Sequence, residues 1–356
     1  MNPIARLTGE PVYADPDAGL VAAVAAWRRQ LDPAALRTLV EALPAPRSHL
    51  HHPEEMLAAE ALLLTMWAAA GWGVERLAVH LTDVRGGVDV DVAGGTPMRY
   101  QVYPSLDGAN LVAVLPGETA EAVVIVAHHD TVKDSRGADD NGAGVVALLE
   151  LARLLGGRRF RRTVVLAAPD FEEVGLLGSP ELVSTLLARG PIAGAIVFDP
   201  IGYMNPVPES QRVPPGLDRL YPGQLRRLDE RQRAGDTVVT IYRGQATALV
   251  KLWAGCLAAT IGRDRVLLVR DPVDIPVLGR LAARIPAARD FSRSDHVAFW
   301  RAGLPAIHVT NTGNFRNPNY HRPSDTPETL DYETLAGIIA ATATAIERLA
   351  DGTGTR

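Results

Sequence analysis

Apolar runs and segments of helical periodicity alternate along most of the chain. Residues 123–127 are five consecutive apolar residues, which is typical of a strand buried on both faces. A segment with the apolar spacing of a helix follows it. The same reasoning predicts strands at 110–115, 123–127, 162–168, 194–198, 237–242, 265–269 and 306–310, and helices at 143–155, 180–188, 246–261 and 332–349. This rhythm predicts an α/β fold with a mainly parallel sheet and right-handed crossovers.

The first hundred residues have a different pattern. Two short helices are predicted in residues 1–46, which form an N-terminal helical arm that ends at Pro44-Ala-Pro46. Residues 47–356 are then predicted to form a single domain, interrupted by a proline-rich insertion at 203–235 of a length that is usually functional or disordered. The remaining predicted elements before residue 110 are a helix at 53–71 and antiparallel edge strands at 74–81, 87–92 and 98–103.

The charge balance argues against nucleic acid or an acidic membrane surface as a partner, because 36 basic residues face 41 acidic ones. The single cysteine, Cys256, excludes an intrachain disulfide and is typical of a reducing compartment. No apolar window reaches the ~18 residues of a membrane span, and the N-terminus lacks the pattern of a signal peptide. We therefore expect a soluble, cytoplasmic protein; the same features are compatible with export after removal of a leader.

Polar side chains with metal-binding chemistry follow the predicted strands. In an open α/β sheet, ligands bind at the carboxyl ends of the strands. Imidazole and carboxylate donors without thiolate suit zinc and, less well, cobalt or manganese. Taken singly, each polar residue has a structural explanation as a turn or a helix N-cap. Their joint placement indicates a metal site, and the residues concerned are His128, Asp130, Asp139, Asp140, Glu172, Glu173, Asp199 and His321.

Six runs of residues extend this pattern. They are His128-His-Asp130, Ala138-Asp-Asp-Asn-Gly-Ala-Gly144, Phe171-Glu-Glu-Val-Gly175 with Gly178-Ser179, Asp199-Pro-Ile-Gly202, Ser294-Asp-His296, and Tyr320-His321 with Asp325-Thr326. In order and spacing they resemble the M28 family of zinc-dependent metallopeptidases, whose typical members are aminopeptidases with two zinc ions. The resemblance covers about residues 108–350. It implies a three-layer α/β/α fold with a mixed, mainly parallel central sheet and antiparallel edge strands, as in phosphorylase/hydrolase-like proteins.

The resemblance also implies a metal ligand set for two zinc ions per chain. His128 and Asp199 would hold one ion, Glu173 and His321 would hold the other, and Asp140 would bridge the two. The family's bridging aspartate is the one directly before Asn-Gly, which selects Asp140 over its neighbour. The peptide bond after this residue is often cis in relatives, so we expect a cis bond here.

Catalytic and supporting roles are implied in the same way. Glu172 would be the general base that takes a proton from the metal-bridging water and passes it to the leaving amine. Tyr320 would donate to the oxyanion, as in some relatives. Further residues are expected to support the site through hydrogen bonds: Asp130, Asp295, His296 and Asp325.

Several hypotheses stay open. The leading one is a dizinc aminopeptidase acting on short peptides or amino-acid amides. The alternatives are a carboxypeptidase-like amidohydrolase, a glutaminyl cyclase on the same fold, and an inactive binding protein. The cyclase is disfavoured because such enzymes typically work with one zinc, and the inactive protein because no ligand is missing. Arg293 or Arg316 could clamp a substrate carboxylate, which would favour the amidohydrolase.

Other polar and apolar residues have simpler explanations. His49, His51 and His52 precede a predicted helix and are expected to be solvated. Trp67 and Trp72 are expected in the core. Apolar surfaces on the N-terminal arm would allow a homodimer.

Overall fold

The structure is a computed structural model that describes residues 8–87, 99–275, 279, 283–284 and 286–352. Its centre is an eight-stranded sheet with the order β1-β2-β4-β3-β5-β8-β6-β7. The strands are β1 Gly73–Gly87, β2 Tyr100–Leu115, β3 Thr119–Val126, β4 Arg162–Ala168, β5 Ile192–Phe198, β6 Val238–Tyr242, β7 Val266–Arg270 and β8 Ala306–Thr310. Apart from Gly87, the strand predicted at 87–92 lies outside the described residues.

All helices predicted from the sequence are present in the described residues, together with three short helices that were not predicted. Their bounds are α1 Ala18–Arg28, α2 Pro33–Ala42, α3 Pro53–Ala69, α4 Gly144–Leu155, α5 Gly178–Arg189, α6 Leu217–Leu220, α7 Pro222–Glu230, α8 Thr247–Ile261, α9 His296–Arg301 and α10 Tyr332–Ala350. The differences are mostly one to three residues at the ends, where helices fray. No helix in the described part of the chain is long and apolar enough to cross a bilayer.

Helices cover both faces of the sheet. Val123 and Ile125 pack in a cluster with residues of α4, α8 and α10. Val124 and Val126, which point the other way, pack in a second cluster with residues of α5 and α9. Because successive strand residues point to opposite faces, β3 is buried on both sides, and the three-layer α/β/α prediction is confirmed.

The direction of the strands decides where their ends lie. β4, β3, β5 and β8 are parallel to one another, so their carboxyl ends share one edge of the sheet. β6 pairs with β8 in the antiparallel sense and with β7 in the parallel sense. Antiparallel pairs are β1–β2, β2–β4 and β6–β8, and the other pairs are parallel, so the predicted mixed, mainly parallel sheet is confirmed.

Two regions depart further from the sequence-based expectation. The strands predicted at 98–103 and 110–115 are one long strand, β2, which forms a long antiparallel hairpin with β1. The insertion at 203–235 is more than a loop, because α6 and α7 lie within it. These short helices were not predicted because the prolines at the start of the insertion favour a loop. In the N-terminal arm, Val24, Trp27 and Leu36 are buried in the main core.

Candidate metal centre

The four parallel strands bring the predicted ligands together. β3 ends just before His128, β5 ends just before Asp199, and β4 is followed by the turn that carries Glu172 and Glu173. The loop after β8 carries His321. The strand ends share one edge, so side chains that are up to about 190 residues apart in sequence meet there.

Distances define a compact cluster around one carboxylate. Asp140 Oδ1 lies 3.2 Å from His128 Nε2, and Asp140 Oδ2 lies 3.1 Å from His321 Nε2. The second imidazole is also 3.1 Å from Glu173 Oε2, and the first is 3.8 Å from Asp199 Oδ1. Asp140 thus stands between two imidazoles with one oxygen toward each, which is the position of a bridging ligand.

The chemistry of these atoms fits a cation. Four of them are buried without a hydrogen-bond partner in the described structure: His128 Nε2, His321 Nε2, Asp140 Oδ2 and Glu173 Oε1. A buried polar atom left unpaired costs about 1–3 kcal/mol, so such a concentration requires an explanation. Two groups offer ligand atoms within 4.8 Å of one another, namely His128 with Glu172 and Asp199, and His128 with Asp140 and Glu173. Imidazole and carboxylate donors of this kind suit zinc.

Without a cation, protons balance the charge of this cluster. Burial opposes a proton on His321, but Glu173 and Asp140 outweigh it and raise the pKa of the imidazole to about 10. Burial also opposes a charge on His128, yet neighbouring carboxylates, with Glu172 foremost, raise its pKa well above the usual range. Burial would raise the pKa of Asp140, but the two imidazoles lower it. Ligands must lose such protons to bind a metal, so binding is coupled to proton release.

Glu172 lies beside this cluster. It is buried, and one of its oxygens is within 4.8 Å of ligand atoms of His128 and Asp199. Burial raises the pKa of Glu172 well above its ordinary value, and the charges of Asp199 and Glu173 add to the effect. A carboxyl group with a raised pKa suits a residue that takes up a proton and returns it.

Asp130 holds the turn that carries the two glutamates. Its carboxylate accepts hydrogen bonds from the backbone N–H groups of Glu172 and Glu173, at 3.3 and 3.1 Å. Asp130 also lies beside the imidazole of His128: His128 Nδ1 is 3.1 Å from the backbone oxygen of Asp130 and 3.4 Å from its Oδ1.

Asp325 and Asp139 fix the loop that carries Asp140. The Asp325 carboxylate accepts hydrogen bonds from the backbone N–H groups of Asp139, at 2.9 Å, and of Asp140, at 3.2 Å. The peptide bond between Asp140 and Asn141 is cis, as expected. Gly142 makes the turn possible, since a Cβ there would lie 2.7 Å from the carbonyl oxygen of Gly137.

Asp139 differs sharply from its neighbour. Its carboxylate accepts hydrogen bonds from the backbone of Gly202 at 2.7 Å and Tyr203 at 2.9 Å. It also accepts from the side-chain amides of Asn311, at 2.9 Å, and Asn317, at 2.8 Å. These hydrogen bonds connect three loops. Because both carboxylate oxygens of Asp139 already accept hydrogen bonds, this residue is not needed as a metal ligand.

Asp295 and His296 contact the site differently from the prediction. His296 forms a hydrogen bond with the backbone oxygen of Phe291 and stacks on His308, with ring centroids 4.4 Å apart. His308 Nε2 in turn lies 2.7 Å from the backbone oxygen of Asp199. Asp295 accepts no side-chain hydrogen bond from the described residues, and burial raises its pKa to about 7. His296 therefore supports Asp199, a predicted metal ligand, indirectly: it stacks on His308, which contacts the Asp199 backbone.

Two supporting residues, His308 and Arg47, were not predicted from the sequence. His308 stands inside the apolar strand β8, and only the pairing of β8 with β5 reveals that it faces Asp199. Arg47 is buried and donates to the backbone oxygens of His129, Pro44, Arg136 and Gly137. It thereby joins the N-terminal segment to the loop that follows His128. A buried polar residue within an apolar run was a signal for His308, but nothing in the sequence marked Arg47.

Of the remaining candidate residues, one lies at the metal centre and the others do not. The Tyr320 ring stacks on His321, with centroids 3.9 Å apart. Arg316 is buried among protein acceptors and is unavailable to a substrate, so its proposed role as a clamp is wrong. His49 is also not solvated as predicted, because its Nδ1 lies 2.7 Å from Asp170 Oδ2 in a buried pair. Trp67 and Trp72 are in the core, as expected.

Comparison with known proteins gives a consistent result. The sequence model of Peptidase family M28 matches residues 110–236 and 278–346. The Uncharacterized protein YfbL of Escherichia coli (strain K12) is 31% identical over 265 residues, which are 70% of this chain and 75% of YfbL. A probable leucine aminopeptidase of Trichophyton verrucosum is 24% identical over 74% of this chain and 63% of its own length.

A solved structure shares the fold. The zinc aminopeptidase BSAP of Bacillus subtilis superposes with a TM-score of 0.62 and 14% sequence identity, over 90% of this chain and 97% of its own. At this identity the likeness concerns the fold alone.

The family match and the shared fold together define the class of this protein as a metallopeptidase. The chain belongs to Peptidase family M28.

Proposed function

We propose that the chain is a dizinc aminopeptidase that removes N-terminal residues from short peptides or amino-acid amides. One observation carries the proposal: the unpartnered Nε2 atoms of His128 and His321 flank the two oxygens of Asp140, and Glu172 lies beside them. In this proposal His128 and Asp199 would hold one ion, Glu173 and His321 would hold the other, and Asp140 would be a ligand of both. When bound, the ions supply Lewis acidity and an acidified water.

The protein's own groups then move the protons. Glu172 accepts a proton from the attacking water and passes it to the leaving amine, a role that its raised pKa supports. Tyr320 donates to the oxygen of the former carbonyl, and its position against the His321 ring supports this role. Asp130, Asp325 and His308 keep the ligand-bearing loops in place.

The domain organisation is part of the same proposal. Residues 1–46 form a helical arm on a catalytic domain of residues 47–356, and the insertion at 203–235 covers one side of the cleft. The lining of the adjacent cavity by Leu217 and Tyr221 supports this. A cytoplasmic location and a homodimer stay predictions from the sequence.

A panel of unblocked and N-acetylated dipeptides tests the activity. Release of free amino acid is measured with zinc added and again after chelation. We expect chelator-sensitive cleavage that is confined to substrates with a free amine. Cleavage of the acetylated set instead would replace the aminopeptidase with a carboxypeptidase-like amidohydrolase.

A further inference from the structure

A cavity of about 150 Å³ opens beside the metal centre. Its walls are apolar and come from the strands β6, β7 and β8 and from the helices of the insertion. Representative lining residues are Leu217, Tyr221, Leu225, Val239, Ile241 and Phe291. Polar residues also line it, among them Asp199, Tyr320 and Arg293. An apolar space with a few polar groups is the usual form of a small-molecule subsite.

Arg293 has hydrogen-bonding capacity to spare in this cavity. Its Nη1 donates to Asn314 Oδ1 at 3.0 Å and lies 3.7 Å from Asp290 Oδ1. Among the described residues, its Nε and Nη2 have no hydrogen-bond acceptor. The side chain is 34% exposed, so a ligand can reach it. A guanidinium has five N–H donors, and most of them stay available here.

Arg316 provides an internal contrast. This second arginine is 4% exposed, and it donates to Gln211 Oε1 at 2.8 Å and Thr237 Oγ1 at 3.0 Å. Its third donor, Nη1, faces the sulfur of Met204. The protein thus uses one arginine to hold the insertion against the core and leaves the other open toward the cleft.

The guanidinium of Arg293 stays protonated. Burial lowers the pKa of the guanidinium, but Tyr320, Asp290, Asp199 and Glu172 act in the opposite direction and raise it overall. A planar cation with two free donor positions matches a carboxylate, which it can bind in bidentate fashion.

We propose that Arg293 binds the C-terminal carboxylate of the substrate, so that dipeptides with a free carboxylate and one apolar side chain in the cavity are the preferred substrates. This inference rests on the proposed aminopeptidase function. Asp199 of the metal centre and Arg293 line the same cavity of about 150 Å³, so a carboxylate bound by Arg293 lies close to the scissile bond and belongs, in this inference, to the residue directly after it.

Leucylalanine and leucylalaninamide test this inference, because they differ only in the terminal charge. The zinc-loaded full chain is assayed for leucine release from each. We expect kcat/KM to be about 10- to 100-fold higher for the carboxylate form, the range of a charge-assisted hydrogen bond. In Arg293→Gln the ratio of the two kcat/KM values should fall to about 1. Equal values in the unmodified chain, or a preference that survives Arg293→Gln, would overturn the inference.

Two further variants guard against loss of folding. Arg293→Lys keeps the cation but not the planar fork, so part of the ratio should return. Arg226→Gln is the matched control, since Arg226 lies on α7 with 75% of its side chain exposed and pairs with Glu230. Its ratio should equal that of the unmodified chain. Unfolding midpoints of all variants are compared first.

Binding separates this inference from the proposed function. Dissociation constants of both compounds are measured by calorimetry on zinc-loaded Glu172→Gln protein, which requires no turnover. Tighter binding of the carboxylate form that disappears with Arg293→Gln supports the inference even where no free-amine substrate is cleaved. Equal binding overturns it even where aminopeptidase activity is present.

Discussion

Two buried polar clusters lie side by side at the carboxyl edge of the sheet, and they differ in how completely they are satisfied. The Asp139 cluster consists of Asp139, Asn311 and Asn317 with the backbone of residues 202–203, and its carboxylate accepts hydrogen bonds from all of these groups. The Asp140 cluster consists of Asp140, His128, Glu172, Glu173, Asp199 and His321. It retains several buried atoms without a partner.

This difference indicates that the Asp139 cluster has a structural role and the Asp140 cluster a role in ligand binding. A saturated network holds loops together and has nothing left to offer a ligand. An unsatisfied cluster is costly in the folded protein and is kept where a ligand completes it. The two arginines differ in the same way: each guanidinium nitrogen of Arg316 has a partner, whereas only Nη1 of Arg293 has one among the described residues.

The largest expected effect is on catalysis by the Asp140 cluster. Replacement Glu172→Gln removes the proton acceptor while preserving shape, so kcat should fall about 10³-fold or more with zinc content unchanged. Turnover and bound zinc are measured on the same sample. Glu181→Gln, on the exposed first turn of α5, is the control and should retain full activity. Unchanged turnover in metal-replete Glu172→Gln protein would remove Glu172 as the base.

Zinc should stabilise the protein through the Asp140 cluster alone. At a free zinc concentration 1,000 times the dissociation constant, one site adds about 4 kcal/mol to the free energy of unfolding. We expect chelation to lower the unfolding midpoint and two zinc ions per chain to restore it. Glu173→Gln should lose much of this gain. A stoichiometry of one ion in the unmodified chain would contradict the dizinc assignment.

The zinc-free protein should lose stability as pH rises. The folded-state pKa of His321 is raised from 6.5 to about 10, so its contribution is complete below pH 6.5 and is lost as pH rises through 10. Burial raises the pKa of Glu173 from 4.5 to about 7, so its contribution is lost in the same direction but at lower pH, between 4.5 and about 7. From His321 alone, the free energy of unfolding should fall by roughly 4 kcal/mol between pH 6.5 and 10.

Zinc affinity should depend on pH in the opposite sense, because the ligands must lose protons to bind zinc. It should therefore rise over the same pH range in which the free energy of unfolding of the zinc-free protein falls. Urea unfolding at pH 6.5, 8 and 9.5, with and without zinc, measures both trends. A zinc-free protein whose stability is constant across this range would contradict the charge arrangement of the cluster.

The smallest effect concerns the Asp139 cluster. Asp139→Asn turns an acceptor into a donor facing Asn311 and Asn317, and should lower the free energy of unfolding by about 2 kcal/mol. Glu172→Gln in the neighbouring cluster should change stability by under about 1 kcal/mol in zinc-free protein, because burial already favours the neutral form of Glu172. Urea unfolding of both zinc-free variants compares the clusters directly. Equal losses of unfolding free energy in Asp139→Asn and Glu172→Gln would contradict the distinction between a satisfied and an unsatisfied cluster.

The sequence alone determined the architecture and the location of the chemistry. Runs such as 123–127 and 306–310 predicted buried strands because apolar periodicity is a local property. The polar residues directly after those strands marked the edge of the sheet where a site would lie. The resemblance to the M28 family then assigned the ligands, and the structure brings all five of them together.

Tertiary structure decided which polar residues are satisfied. Asp139 and Asp140 are adjacent, yet the partners of Asp139 include Asn311, 172 residues away. Arg316 donates to Gln211, 105 residues away, whereas Nε and Nη2 of Arg293 have no acceptor among the described residues. His49 pairs with Asp170, which follows β4 and lies 121 residues away in sequence. Satisfaction of a buried polar group depends on distant partners, and local sequence patterns contain no information about which distant segments meet.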